Sequence, residues 1–128
     1  IILGSEGGKL LTIEINEKLA CEANENFKRF GINHDVVIGD GVEFVKRLVL
    51  NKKEFFDLIF IDFMKRDYIK VLEDCIGIVK ENGFIIADNM SFEGCKDYKE
   101  AVLRHPKLKT EIIRIGDWLS YSKKILSC

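Results

Sequence analysis

Two stretches of pure core residues, each cut off by acid, constrain this chain most. Leu58-Ile59-Phe60-Ile61 ends at Asp62, and Phe84-Ile85-Ile86-Ala87 ends at Asp88-Asn89. Short apolar runs that stop abruptly at polar groups have the pattern of strands buried on both faces of a parallel sheet. Between them, from about Asp67 to Lys80, the residues Tyr68, Val71, Leu72, Cys75, Ile76 and Val79 fall on one helical face. Strand, helix and strand then form one unit whose strands, if neighbours, lie about 4.8 Å apart. Asp62, Asp88 and Asn89 would leave it side by side at the carboxyl edge, where open α/β folds bind ligands. Two carboxylates and an amide oxygen suit a hard divalent cation such as Mg²⁺ or Ca²⁺.

The rest of the chain extends the alternation. After the Gly7-Gly8 turn, residues 10–15 read as a strand. Asn16 can cap a helix that runs to about Phe30, with Leu19, Ala23 and Phe27 on one face, and Gly31 ends it. A strand from Asp35 to Ile38 stops at Gly39-Asp40-Gly41, and Val42, Val45, Leu48 and Val49 form the stripe of the next helix. Asn82-Gly83 breaks the following helix before the Phe84 strand. The order β-α-β-α-β-α-β predicts a parallel sheet with helices on its faces. A helix near residues 96–105 ends at Pro106. Two strands, 110–115 and 118–123, then flank Gly116-Asp117 as an antiparallel hairpin that Trp118 and Tyr121 pack. At the amino end, Ile1-Ile2-Leu3 reads as the tail of a helix closed by Gly4.

With 128 residues the chain is expected to form one domain, 1–128, with a real core. Its formal net charge of −1 gives no electrostatic reason for a general nucleic-acid or membrane partner. No apolar run is long enough to span a bilayer. The cysteines Cys21, Cys75, Cys95 and Cys128 form no Cys-x-x-Cys pair, so neither zinc nor a disulfide framework is expected and a cytoplasmic location is the default.

Other candidate residues gather on the same sheet edge. Glu14, at the end of the first strand, can accept hydrogen bonds from both hydroxyls of an adenosine ribose, or be a solvated strand-end carboxylate. Ile15 beside it suits an apolar lid for a purine, or core. Gly39-Asp40-Gly41 lets backbone approach a ligand closely, with Asp40 near an adenine amine, or is a plain turn. Lys65, three residues past Asp62, can place its amine near the metal set, where a divalent cation disfavours the ammonium form and makes it a general base. His34 and His105 lack partners at useful spacing, and Cys95, in the loop after Asn89, could line a pocket but does not read as a ligand or nucleophile.

At Gly8-Lys9-Leu10-Leu11-Thr12-Ile13-Glu14 the chain resembles the second strand of class I S-adenosylmethionine-dependent methyltransferases. Residues 56–62, then Lys65 and Tyr68, then Ala87-Asp88-Asn89, are similar to the cation-dependent O-methyltransferases, the group of catechol and caffeoyl-CoA O-methyltransferases. The resemblance implies a Rossmann-like, doubly wound, mostly parallel sheet with the carboxyl-terminal antiparallel hairpin. It also implies Mg²⁺, or another hard divalent cation, held by Asp62, Asp88 and Asn89. Lys65 would act as the base, with Asp62 in the catalytic set. Glu14, Ile15, Gly39, Asp40, Gly41 and Asp62 would hold S-adenosylmethionine. The implied acceptor is a small molecule with adjacent hydroxyls, and relatives are often homodimers. Trp118 stands where glycine is common, and Glu111 where a carboxylate orients the second substrate hydroxyl.

The resemblance further implies that the family's first strand and glycine-rich loop would precede Ile1. The expected domain is therefore amino-terminally incomplete, with two inner strand edges unpaired, and should fold poorly by itself. Competing expectations are an RNA acceptor (a hydroxylated uridine of transfer RNA), a nicotinamide-dependent oxidoreductase using the same ribose carboxylate, and a non-catalytic interaction module.

Overall fold

The computed structural model describes residues 2–5, 8–51 and 54–126; Ile1, Gly7 and Cys128 lie outside the described residues. Its elements are β1 (Ile2–Ser5), β2 (Lys9–Glu14), α1 (Glu17–Arg29), β3 (His34–Ile38), α2 (Gly41–Asn51), β4 (Phe56–Ile61), α3 (Tyr68–Ile78), β5 (Val79–Ala87), α4 (Lys96–Arg104), β6 (Leu108–Ile113) and β7 (Leu119–Lys124). Local chemistry starts the helices where expected. Asn16 Oδ1 accepts from the Leu19 N–H at 3.1 Å, and Asp40 Oδ1 accepts from the Glu43 N–H at 3.1 Å.

One sheet takes the order β3-β2-β1-β4-β5-β7-β6. The pairs β2–β3 and β4–β5 are parallel, as expected, and β5–β7 and β6–β7 form the antiparallel edge. The expectation of a helix tail at residues 1–3, with unpaired inner edges beside it, is overturned. Ile2–Ser5 is a strand, and it fills the slot between β2 and β4, antiparallel to both. Connection length dictates that direction. Only residues 6–8 join β1 to β2, whereas neighbouring parallel strands need a crossover of about a dozen residues or more. Each inner edge thereby gains a partner, and the premise for poor folding falls away. The cost of a backbone group left unpaired away from water outweighs the weak helical signal of so short an apolar run.

Paired residues share a face, which assigns the layers. Ile13, Ile59, Ile61, Ile85 and Ala87 point into a core built with Tyr68, Val71, Cys75 and Ile76 of α3, Tyr98 and Val102 of α4, and Val45 of α2. On the other face α1 lies beside Val36 and Ile38 of β3. There Leu58, Phe60, Phe84 and Ile86 are only partly buried, so β4 and β5 are covered fully on one face rather than on both. Tyr121 joins that second face, its ring 4.7 Å from that of Phe84. The buried positions of β7 are instead Ser120, Ser122 and Lys124. Ser122 shares a 2.8 Å hydrogen bond with Thr110, whose Oγ1 donates to the Val102 carbonyl. The Lys124 ammonium donates to the Ile76 and Val79 carbonyls at 2.7 and 3.0 Å, capping the end of α3.

A second correction concerns Asn82-Gly83. Helix α3 ends at Ile78, not Lys80, and both residues lie inside β5. Val79 pairs with Phe56 and Phe84 with Leu58, so residues 80–83 bulge out opposite Asp57 alone. Asn82 takes a left-handed φ of 64° there. A Cβ on Gly83 would stand 2.8 Å from the Lys80 carbonyl oxygen and 2.9 Å from that of Asp57. No helix among the described residues is long and apolar enough to cross a membrane.

Gly83→Ala should therefore cost about 1–3 kcal/mol in a urea-unfolding titration, since backbone on both sides must give way. Gly77→Ala meets only the Val49 side chain at 3.2 Å and should be neutral or better, because alanine favours the helix. Equal effects of the two substitutions would refute the crowded bulge.

Candidate active site

The sheet order places a switch point beside β1. From β1 the chain winds one way to β2 and β3, then crosses over to β4 and β5. Glu14 and Asp62, at the carboxyl ends of β2 and β4, stand two strand spacings apart across this point, about 10 Å. An open pocket of about 490 Å³ lies there, lined by residues 13–15, 39–41, 62–65 and 67. That volume falls within the range of small-molecule sites. Glu14, Ile15, Gly39, Asp40, Gly41, Asp62 and Lys65 thus share one cavity, although they come from three separate stretches of chain.

Backbone and cap contacts set the near wall. The Gly39 N–H donates to the Glu14 carbonyl at 3.0 Å, which continues the β2–β3 ladder past both strand ends. Glu14 Oε1 accepts from the Asn16 N–H at 3.0 Å, leaving its other carboxylate oxygen toward solvent. Asp40 is also the cap of α2, a role its turn pattern did not reveal; one oxygen of its carboxylate is engaged in that way. Ile15 and Met64 line the mouth from opposite sides, 69% and 55% exposed. Large apolar side chains left in water at a pocket rim give the cavity an apolar edge. Met64 and Phe63 were not singled out by the sequence, where Asp62-Phe63-Met64-Lys65 drew notice for its charges.

The far wall carries the polar set. Ile61 pairs with Ala87, and the Asp88 N–H still donates to the Ile61 carbonyl at 3.2 Å, so Asp62 and Asp88 leave adjacent strands at one level. Asp88 and Asn89 lie one strand beyond the pocket lining. Asp88 Oδ1 accepts from the Asn89 N–H at 2.7 Å, and Asn89 is 8% exposed at a left-handed φ of 68°. The β6–β7 turn holds this segment: Met90 N–H donates to the Trp118 carbonyl, and the Ser91 N–H and hydroxyl donate to that of Asp117.

Lys65 reaches back over Asp62. Its Nζ lies 3.1 Å from Asp62 Oδ1 and 3.0 Å from the Phe63 carbonyl, with the Tyr68 ring centroid 5.6 Å below. Both side chains of the ion pair are partly exposed, so it fixes geometry more than it adds stability. Tyr68 is fully buried between the stacked Phe63 ring at 5.5 Å and the edge-on Tyr98 ring at 5.7 Å. Its hydroxyl donates to Asn89 Oδ1 at 3.4 Å. Burial first, then the Asp62 carboxylate, pushes this phenol well above its usual range, so it stays a donor.

The donor set fits a hard cation by its chemistry. It comprises two carboxylates on neighbouring strand ends and one amide oxygen whose one hydrogen bond among the described residues is long. The amide is essential to that set, because no group of three His, Cys, Asp or Glu residues among the described residues could hold a metal.

Other candidates have different places. His34 bonds Asn24 and the Ile32 carbonyl, and His105 pairs with Glu73 at 2.9 Å, so both have structural partners that their spacing hid. Glu111 is exposed on the edge strand β6, outside the pocket. Trp118 also lies outside it, flanked by Arg114 at 4.8 Å and Lys99 at 5.6 Å. Its φ of 67° explains why glycine suits that position.

A family model described as O-methyltransferase matches residues 3–125. Tapetum-specific methyltransferase 1 of Arabidopsis thaliana is 26% identical over 142 residues, covering 94% of this chain and 61% of its own length. Catechol O-methyltransferase of Bos taurus is 29% identical over 128 residues, covering 93% and 45%. The chain therefore spans about half to three fifths of these relatives. Among solved structures, an O-methyltransferase from Bacillus cereus in complex with SAH superposes with a TM-score of 0.78 at 22% identity, covering 89% of this chain and 62% of that one. This last likeness bears on the fold alone.

Cys95 is buried against the Lys65 carbonyl, and burial raises its thiol; burial likewise pushes the Cys75 thiol up to about 12. Neither should react at pH 7.5 with an alkylating reagent that labels exposed Cys21. Peptide mass spectrometry reads this directly, and rapid native labelling of Cys95 would contradict the packing beneath Lys65.

Proposed function

This chain belongs to the O-methyltransferase family, and on that premise we propose that its pocket binds S-adenosylmethionine and directs methyl transfer to a hydroxyl of a small acceptor with adjacent hydroxyls. The observation that carries this reading is the single cavity joining the Glu14 and residue 39–41 wall to Asp62 and Lys65. A dinucleotide oxidoreductase would use the ribose carboxylate but has no need of the lysine and the acid-amide pair beyond it.

In this reading Glu14 receives the ribose hydroxyls on its free carboxylate oxygen, and Ile15 and Met64 cover the adenine. Asp40, with one oxygen committed to the α2 cap, faces the adenine amine with the other. The bound cofactor supplies a methyl group already activated on a sulfonium. Asp62, Asp88 and the Asn89 amide oxygen are the residues that would hold Mg²⁺ or a similar cation, whose chemistry there is to make an oxygen-bound hydroxyl more acidic.

Lys65 Nζ then takes the acceptor proton. A neutral amine has two N–H donors and one lone pair. Asp62 Oδ1 and the Phe63 carbonyl accept from two directions around Nζ. A third direction remains for the incoming proton. The deprotonated oxygen would take the sulfonium methyl in line, the S–CH₃ bond breaking to leave the neutral thioether S-adenosylhomocysteine, and the protein contributes chiefly the placement of the two reactants. No covalent protein intermediate is required.

Calorimetric titration with S-adenosylhomocysteine tests the cofactor half. Glu14→Gln should weaken binding roughly tenfold or more, the scale of a hydrogen bond to a charged group. Lys65→Met should retain that binding and lower the rate of methyl transfer to a catechol by about 10²–10⁴-fold. Absence of binding by the unaltered chain would remove the reading, as would an undiminished rate in Lys65→Met.

A further inference from the structure

The geometry points to Tyr68 as a positioning residue that sets which end of the Asn89 amide faces the Asp62–Asp88 edge. This rests on the cation-binding reading above and deepens it. Asn89 is buried at the end of a left-handed turn, and an amide side chain presents either an acceptor or a donor depending on a half-rotation that its shape does not resist. Only the oxygen serves a cation. Something must decide the rotation.

Tyr68 is placed to do so. Its buried phenol hydroxyl gives its proton to Asn89 Oδ1 at 3.4 Å, with no other acceptor among the described residues. The direction of this hydrogen bond is not free. If the amide were turned round, the Asn89 NH₂ would face the phenol oxygen where the acceptor now stands. The buried phenol proton would then lose its acceptor, at the usual penalty for an unpaired buried donor. With the oxygen held toward Tyr68, its second lone pair remains for a ligand.

The same residue also connects the two strand ends. Phe63 directly follows Asp62 after β4, and Asn89 directly follows Asp88 after β5. The Phe63 ring stacked on Tyr68 and the phenol hydroxyl on Asn89 thus tie the segment carrying the first carboxylate to the segment carrying the second. The stacked Phe63 ring and the edge-on Tyr98 ring keep the phenol from turning away. In the sequence Tyr68 reads as the first apolar position of α3, and the family resemblance includes it without giving it a role. Its ring fulfils that reading, while its hydroxyl performs the other task.

The test uses Mn²⁺ alone, with free Mn²⁺ measured by electron paramagnetic resonance, so no turnover is needed. Tyr68→Phe keeps the ring and should weaken Mn²⁺ binding about 10–100-fold, the effect of losing a partner that orients a ligand. Tyr98→Phe removes a phenol hydroxyl from the other ring of the edge-to-face pair and should leave Mn²⁺ affinity unchanged. In an Asn89→Gly background, where glycine accepts the same φ, adding Tyr68→Phe should change the residual affinity less than twofold. Equal Mn²⁺ binding by Tyr68→Phe and the unaltered chain would overturn the role of Tyr68 and leave the cation site standing. A full further loss in the Asn89→Gly background would also overturn it. No Mn²⁺ binding by the unaltered chain would overturn the cation site and this role together.

Discussion

The parallel pairing of β4 with β5 is the contact on which the rest depends. Because Ile61 lies opposite Ala87, and the Asp88 N–H extends the ladder by one more bond, two apolar strands end at one level and release their polar residues together. A shift of either strand by one residue would turn its own pair, Ile59 and Ile61 or Ile85 and Ala87, out of the core and aim the two carboxylates at opposite faces. Burial of those four side chains therefore holds the register, and the register holds the site. Roughly 25 cal/mol per Å² of apolar surface makes such a slip expensive.

The second requirement is continuity across the switch point. β2 and β3 carry the Glu14 wall and β4 the Asp62 wall, and they belong to one sheet because Ile2–Ser5 bridges them. An antiparallel strand satisfies the backbone of both neighbours, but it runs the opposite way from them. Its carboxyl end, Ser5, pairs with Lys9 at the start of β2, on the edge of the sheet away from the pocket. The contents of the pocket wall thus come from β2, β3 and β4 and the turns that follow them.

Much of this was legible in the sequence, for a physical reason. Runs such as 58–61 and 84–87 mark strands, though only one face of each is fully covered, and an acid directly after each emerges at the carboxyl edge. The residues that escaped were those whose roles depend on tertiary partners. Ser122 and Lys124 look like part of an outward face until the Thr110 hydroxyl and the Ile76 and Val79 carbonyls make it an inward one. Asn82-Gly83 carries a strong breaking signal, yet a bulge uses the same left-handed geometry as a helix stop. Four residues at Ile2 are too few for periodicity to distinguish strand from helix, and pairing on two sides decides. For the candidate site, the charged residues announced themselves. Met64 at the rim and the hydroxyl of Tyr68 did not, because an apolar side chain and a helix-face tyrosine read as ordinary packing.

The central claim is that the Asp62, Asp88 and Asn89 edge and the Lys65 amine act together on a hydroxyl. The most direct measurement is transfer of a radiolabelled methyl group from S-adenosylmethionine to a catechol, before and after removal of divalent cations with EDTA. Transfer that stops with EDTA and returns on adding Mg²⁺ is the predicted result. Transfer that continues undiminished in EDTA would contradict the account.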